Sequence, residues 1–285
     1  MATSVGYRHG DYPIAVCGTY VSRVQDFNLD RDLAVRTVYE LGAAEAAGVD
    51  DAPNVYTGGL TWFPIDLTME RYFSEVTGTA DVMLKSYMDA TGVSVESLTK
   101  GVGGAKIVSL EYSCEAEGEY RGNVRFEATS WDTDGATTIT AVTPTGDGAF
   151  RSPVVTVQCS AVTGVRVQGF RVRAGSRAAR MYQMSSDDPV GIEFERPEVT
   201  AEITWYESTS MSGNTAMSLS SPQDIEIQVG SATWDQADNI KHTCHNMVSS
   251  GDGERGSVNG WATYTQRYIS KGHSTSYGLT SNVCL

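Results

Sequence analysis

The chain has 285 residues, with 21 Lys+Arg against 35 Asp+Glu, a formal charge of −14 and a sequence pI of about 4.7. Such a balance argues against a nucleic acid as a tight partner, because that requires neutralising phosphates and releasing counterions. At 40% hydrophobic and 20% charged the composition is that of a globular protein long enough for two domains. Residues Met1 to Gly10 have no apolar core flanked by positive charge, and no stretch reaches the ~18 apolar residues of a membrane helix. Neither a secretory signal nor a membrane span is expected. Five cysteines (17, 114, 159, 244, 284) are widely spaced without a Cys-x-x-Cys, the pattern of buried free thiols. The basic side is skewed to 16 Arg and 5 Lys, which suits a GC-rich or a salt-adapted source.

In chain order, Val24 to Leu29 alternates loosely with period two and reads as a strand. A Gly-, Ala-, Asp- and Pro-bearing loop, Gly42 to Gly59, leads to a second strand, Gly59-Leu60-Thr61-Trp62, so the pair reads as a long antiparallel hairpin. Ala80 to Thr91 reads as a helix: Thr79 is a cap candidate, Val82, Met83, Tyr87 and Met88 form an apolar stripe, and Gly92 is a stop. Gly101-Val102-Gly103-Gly104 is expected to be a flexible joint.

Lys106 to Trp131 is expected to be a hairpin turning near Glu117-Gly118-Glu119. Period two places Val108, Leu110, Tyr112, Cys114 and Ala116 on a core face, and Glu111, Ser113, Glu115, Glu117 and Glu119 on the other. Thr143 to Ser152 reads as a linker. A strict strand follows at Val165 to Arg173, then a loop, Ser185 to Pro197, and a strand, Val199 to Trp205. The region Asp224 to Ile240 stands where the first half has its helix, Ser250 to Gly256 reads as a turn, and Ser270 to Leu285 as a small, polar arm.

The two halves are related by an offset of 143: Arg23-Val24-Gln25-Asp26-Phe27 falls on Arg166-Val167-Gln168-Gly169-Phe170, and Thr61-Trp62 on Thr204-Trp205. The 40 ungapped pairs between these anchors hold nine identities, Tyr39/Tyr182, Gly48/Gly191 and Thr57/Thr200 among them, where average composition gives about two or three. A tandem duplication is the expectation. Later in the halves, Gly122-x-Val124 aligns best with Gly256-x-Val258, which makes the second half shorter.

Catalytic chemistry finds little support in these residues. Asp132-Thr133-Asp134-Gly135 opens like a calcium loop but lacks the later acidic ligands. His242-x-x-His245, with Cys244 between, has no further ligand at a metal spacing. The glutamates 111, 115, 117 and 119 form one row, not the facing pair that glycoside hydrolysis needs. No Gly-x-Ser-x-Gly elbow occurs, and Gly101 to Gly104 lacks the Lys-Ser/Thr of a phosphate loop. No enzyme activity, metal or cofactor is expected.

The run Arg23-Val24-Gln25-Asp26-Phe27-Asn28-Leu29-Asp30-Arg31, continuing through Val38-Tyr39-Glu40-Leu41-Gly42 and an acidic loop to Leu60-Thr61-Trp62, resembles the major tail tube proteins of long-tailed bacterial and archaeal viruses. The second copy, Arg166 to Trp205, repeats it with Met181-Tyr182-Gln183-Met184-Ser185, where Ser185 replaces the family's Gly. The resemblance covers about 40 residues of each half.

It implies a mainly β protein of two tandem β-sandwich or barrel-like domains, each with a long hairpin and a flanking helix: 1–143, 144–270, and an arm at 271–285. It further implies a virion protein, assembled in the host cytoplasm, whose sheets join around a channel. Six domains close such a ring, so two per chain imply a trimer with pseudo-sixfold symmetry. The implied partners are other copies of the chain, tail terminator and tail-tip proteins, and, transiently in the lumen, the tape measure protein and viral DNA, with no membrane. Residues 1–143 carry a net −11 and residues 144–285 a net −3. The expected lumen-facing acidic row is accordingly Glu111, Glu115, Glu117 and Glu119. Glu45, Asp50, Asp51, Asp187, Asp188 and Glu193, in the long loops, are expected to join successive rings. Two alternatives remain: another tail or baseplate protein of the same fold, or a carbohydrate-binding β-sandwich.

Overall fold

The computed structural model describes residues 14–16, 19–20, 24–33, 35–38, 48–51, 53–64, 80–85, 99–115, 118–132, 156–160, 167–175, 178–194, 198–206, 219–230, 240–255, 262–270 and 279–283. The first half contributes β1 (Ile14–Val16), β2 (Thr19–Tyr20), β3 (Val24–Asp32), β4 (Val35–Val38), β5 (Gly48–Asp51), β6 (Val55–Trp62), β7 (Ala80–Lys85), β8 (Thr99–Glu115), β9 (Arg121–Ala128) and β10 (Ser130–Asp132). The second contributes β11 (Thr156–Cys159), β12 (Val167–Gly175), β13 (Ala178–Tyr182), β14 (Pro189–Phe194), β15 (Glu198–Tyr206), β16 (Gln223–Gly230), β17 (Ile240–Arg255), β18 (Thr263–Ser270) and β19 (Leu279–Val283). The protein is mainly β, every pairing is antiparallel, and the described residues include no helix.

Two four-stranded ladders dominate, β3-β6-β9-β8 and β12-β15-β18-β17, and they are sewn together where β8 pairs with β12. The N-terminal part of β8 runs on to pair with β7 and β10, and that of β17 with β16 and β19. Gly104, at φ +62°, lies inside β8, and a Cβ there would stand 2.1 Å from Thr129 Oγ1. Only glycine suits that backbone and that approach.

The registers of the two halves correspond residue by residue. Val24 faces Trp62 and Phe27 faces Leu60; 143 residues on, Val167 faces Trp205 and Phe170 faces Ile203. The same offset carries Val35↔Asp51 onto Ala178↔Phe194, and Val38↔Gly48 onto Met181↔Gly191. For β8 and β9 the offset becomes 142, carrying Ile107↔Phe126 onto Ser249↔Tyr268 and Ser113↔Arg121 onto Arg255↔Thr263. Irregularities recur too, with one extra residue at Gln25 and Gln168, within Gly103–Gly104 opposite Asp81 and His245–Asn246 opposite Asp224, and at Val108 and Ser250. A bulge bends and twists its strand, so matching bulges shape both ladders alike.

One apolar cluster runs through both halves. The ladders supply Leu60, Trp62, Leu110, Tyr112, Val124, Phe126, Phe170, Val172, Ile203 and Trp205, and β16 and the start of β17 supply Ile225, Ile227, Val229, Cys244 and Met247. Gly122 is glycine because Trp62 covers it: a Cβ would come within 2.5 Å of the indole.

Several sequence expectations are corrected. Ala80–Lys85 is a strand, because backbone pairing with both β1 and β8 outweighs a modest helical preference, and the rest of that segment, 86–91, lies outside the described residues. Gly101 to Gly104 is not a joint but part of β8, and Val108 is its bulge, leaving Ile107 in the core. Residues Ser250 to Arg255 continue β17 and form no turn. The structural counterparts of Gly122 and Val124 are therefore Tyr264 and Gln266, not Gly256 and Val258, so the second half is shorter there by a single residue. Residues 279–283, expected in an arm, form β19 against β17. The linker 143–152 lies outside the described residues.

Candidate functional site

Alternation along the ladders gives each strand a polar face opposite the core, and the β8–β12 seam crosses the middle of it. Glu111, Ser113 and Glu115 stand there on β8, as the period of two requires. Across the seam Ser113 faces Arg171 and Glu111 faces Arg173. Arg171 makes a two-pronged contact, its Nε 2.9 Å from Glu111 Oε1 and its Nη2 donating to Oε2 at 2.9 Å. This hydrogen bond, above all, raises the already high pKa of Arg171. An open groove of about 560 Å³ follows the seam, lined chiefly by Glu111, Glu115, Gln168, Arg171, Glu202 and Thr204.

The face as a whole is not acidic. One ladder row reads Arg121, Ser113, Arg171, Glu202, Arg267, and Arg267 Nε sits 3.0 Å from Glu202. Arg125 and Asn123 lie beside β8 on its other flank. The carboxylates of β8 are thus bordered by arginines on both neighbouring strands. Glu119 does not continue the row: β8 ends at Glu115, Gly118 N–H donates to the Glu115 carbonyl at 2.9 Å, and Glu119 lies beyond that turn, 3.7 Å from Arg121. Glu117 lies outside the described residues. The arginine neighbours were missed because the partner strand of β8 cannot be read from its own alternation, although Val165 to Arg173 had already shown Arg171 and Arg173 sharing a face.

A second constellation is the hairpin of β13 and β14, laid against the first half. Asp188 accepts from the Tyr56 hydroxyl at 2.5 Å and from Asn54 Nδ2 at 2.8 Å, which together hold its carboxyl below the usual range. Asn54 N–H donates to the Asp187 carbonyl at 2.7 Å, and the Tyr182 hydroxyl to the Asn54 carbonyl at 3.0 Å. Lys106 Nζ donates to the Ile192 carbonyl at 2.7 Å, and Arg180 Nε is 3.1 Å from Glu127 Oε2. That ion pair lacks hydrogen-bond alignment, and burial pushes the Glu127 carboxyl up despite the arginine. Asp187 and Asp188 are thus engaged within the chain, while Glu193 is exposed. The hairpin also exposes Met181, Tyr182, Val190 and, at 92%, Met184. Asp50 and Asp51 lie on β5, the equivalent hairpin of the first half, and Glu45 lies outside the described residues.

Of the histidine pair, His242 is sealed among Tyr112, Tyr120 and Phe170, and His245 Nδ1 meets Asp224 at 2.9 Å. Burial pushes the His242 pKa down to about 3. No family model and no curated protein matches this chain.

Proposed function

We propose that the chain is a structural virion protein that builds the stacked rings of a viral tail tube, each ring a trimer with pseudo-sixfold symmetry. The observation that carries the reading is the repeated ladder: two sheet units with matching registers and bulges, joined edge to edge by β8 and β12. A tandem duplication is the economical source of such a pair. A seam that joins two equivalent units once can be repeated by rotation until the ring closes, which also consumes the sheet edges that otherwise invite aggregation. Three copies supply the six units of the ring that the resemblance implies.

The polar face then borders the channel, since the opposite face is committed to the core. Its alternating carboxylates and arginines offer passing DNA few continuous cationic tracks, and the surplus acid of the first half discourages adhesion. The hairpins β4–β5 and β13–β14 serve ring stacking, and the exposed Met181, Met184 and Val190 supply apolar contact. DNA and the tape measure protein pass through the lumen, and terminator and tip proteins cap the stack. Electron microscopy of the purified protein tests the reading: open-centred rings or tubes support it, and compact particles at every concentration overturn it. Another virion part of the same fold would differ in copy number per particle.

A further inference from the structure

We infer that the C-terminal part of β17 pairs antiparallel with β3 of a second copy of the chain, with Asn28 opposite Arg255, Asp30 opposite Gly253 and Asp32 opposite Gly251. This deepens the ring reading and rests on it for the number of copies, but its register comes from the chain's own internal seam. In that seam Arg171 faces Ser113, Arg173 faces Glu111 and Gly175 faces Ser109. Subtracting 143 from the β12 residues and adding 142 to the β8 residues, the offsets of the repeated ladders, yields the three pairs named.

Both edges lack a second neighbour among the described residues. Among the described residues β3 pairs only with β6, and residues 251–255 of β17 pair only with β18. The burial of β3 also falls short of its counterpart. Phe170 and Val172 are buried where β8 lies alongside, whereas their equivalents Phe27 and Leu29 remain half-buried. A strand laid along β3 supplies the missing cover, and Gly251 and Gly253 leave room on β17, since a Cβ on either would meet nothing within 4 Å among the described residues.

Charge points to a second copy rather than an unrelated chain. Across the internal seam the Tyr112 ring stacks on His242, with centroids 4.5 Å apart. Under the same offset of 142, Tyr112 maps to Glu254 of one copy and His242 to Lys100 of the next. Phe170 maps to Phe27, so an aromatic ring is kept at that site. The positions that hold an aromatic and an imidazole within the chain thus hold residues of opposite charge between chains, so the seam that the repeat generates is charge-matched between copies of this chain.

Cysteine pairs test the register. Ser113→Cys/Arg171→Cys is the internal control and should close within a chain, and Asn28→Cys/Arg255→Cys should then give covalent dimers and trimers on a non-reducing gel, with both single variants remaining uncoupled. No interchain bond while the control closes, or a bond only in the shifted pair Asp30→Cys/Arg255→Cys, overturns the inference. Tubes seen by microscopy without the Asn28–Arg255 bond would defeat the register and leave the tube reading standing; covalent dimers that never form rings would do the reverse. Charge reversal is a second arm: Lys100→Glu should abolish assembly of folded chains, and Lys100→Glu/Glu254→Lys should restore it. Wild-type assembly of the single variant would count against the mapping.

Discussion

The Tyr120 hydroxyl lies 2.5 Å from Nε2 of His242, a residue 122 positions further along the chain and fully buried. This contact joins the β8–β9 turn region of one half to β17 of the other, and Tyr112 flanks it. His242 is held neutral because burial disfavours its charged form.

Acid should therefore weaken the fold through His242. The unfolded histidine takes up a proton as pH falls below its ordinary value near 6.5, while the folded one resists until about 3. Stability is full above 6.5 and is lost as pH falls toward the folded value, at up to about 1.4 kcal/mol per pH unit. Denaturant unfolding of wild type and His242→Phe between pH 7 and 5 checks this. The variant should show a shallower loss, and equal slopes would mean that His242 is not the group responsible.

The two tyrosines beside it should respond oppositely to loss of their hydroxyls. Tyr120→Phe leaves Nε2 of His242 without this contact and should cost about 1–3 kcal/mol. Among the described residues the Tyr112 hydroxyl is buried without a hydrogen-bond partner, so Tyr112→Phe should be neutral or stabilising by up to about 1 kcal/mol. Midpoints of chemical unfolding for the two single variants decide the matter.

Glycine positions give a steric contrast. Gly122→Ala drives a methyl against Trp62, itself buried, and should cost about 1–3 kcal/mol by overpacking. Gly251→Ala meets no atom of the described residues within 4 Å and should unfold within a degree or two of wild type as an isolated chain. Thermal melts of both variants at one protein concentration measure the difference.

At the tip of the second hairpin, Met184→Asp should leave the isolated chain as stable as wild type, because the side chain is 92% exposed. If the hairpin stacks rings, the same substitution should shorten or abolish tubes. Tubes of normal length would remove this surface from the stacking contact.

The channel reading carries its own test. Glu115 and Glu117 changed together to Lys, with the Arg171 partner Glu111 spared, should leave tails assembled but slow DNA ejection at low salt, the effect fading as phosphate attraction is screened. Unchanged ejection from intact tails would place these residues outside the lumen.

Much of the ladder was legible in the chain itself. Alternation along Phe27 to Leu29, Phe170 to Arg173 and Leu110 to Cys114 sorts core from solvent face because strand side chains have a period of two, and it breaks at the bulges Gln25, Gln168 and Val108. The offset of 143 likewise follows Val24/Val167 to Trp62/Trp205 without a gap, and the observed registers keep that offset. What the sequence could not decide was which strand lies beside which. Residues Ala80–Lys85 allow a helical stripe until β1 and β8 take up both of their edges. Glu111 looks like one of a row of free carboxylates until β12 brings Arg171 to it from 60 residues away. The spacing of His242 argues against a metal site but gives it no other place, and only the fold closes Tyr112, Tyr120 and Phe170 around it. Local periodicity reports one strand's two faces, whereas pairing, neutralisation and burial belong to contacts between distant segments, and those exist only once the chain has folded.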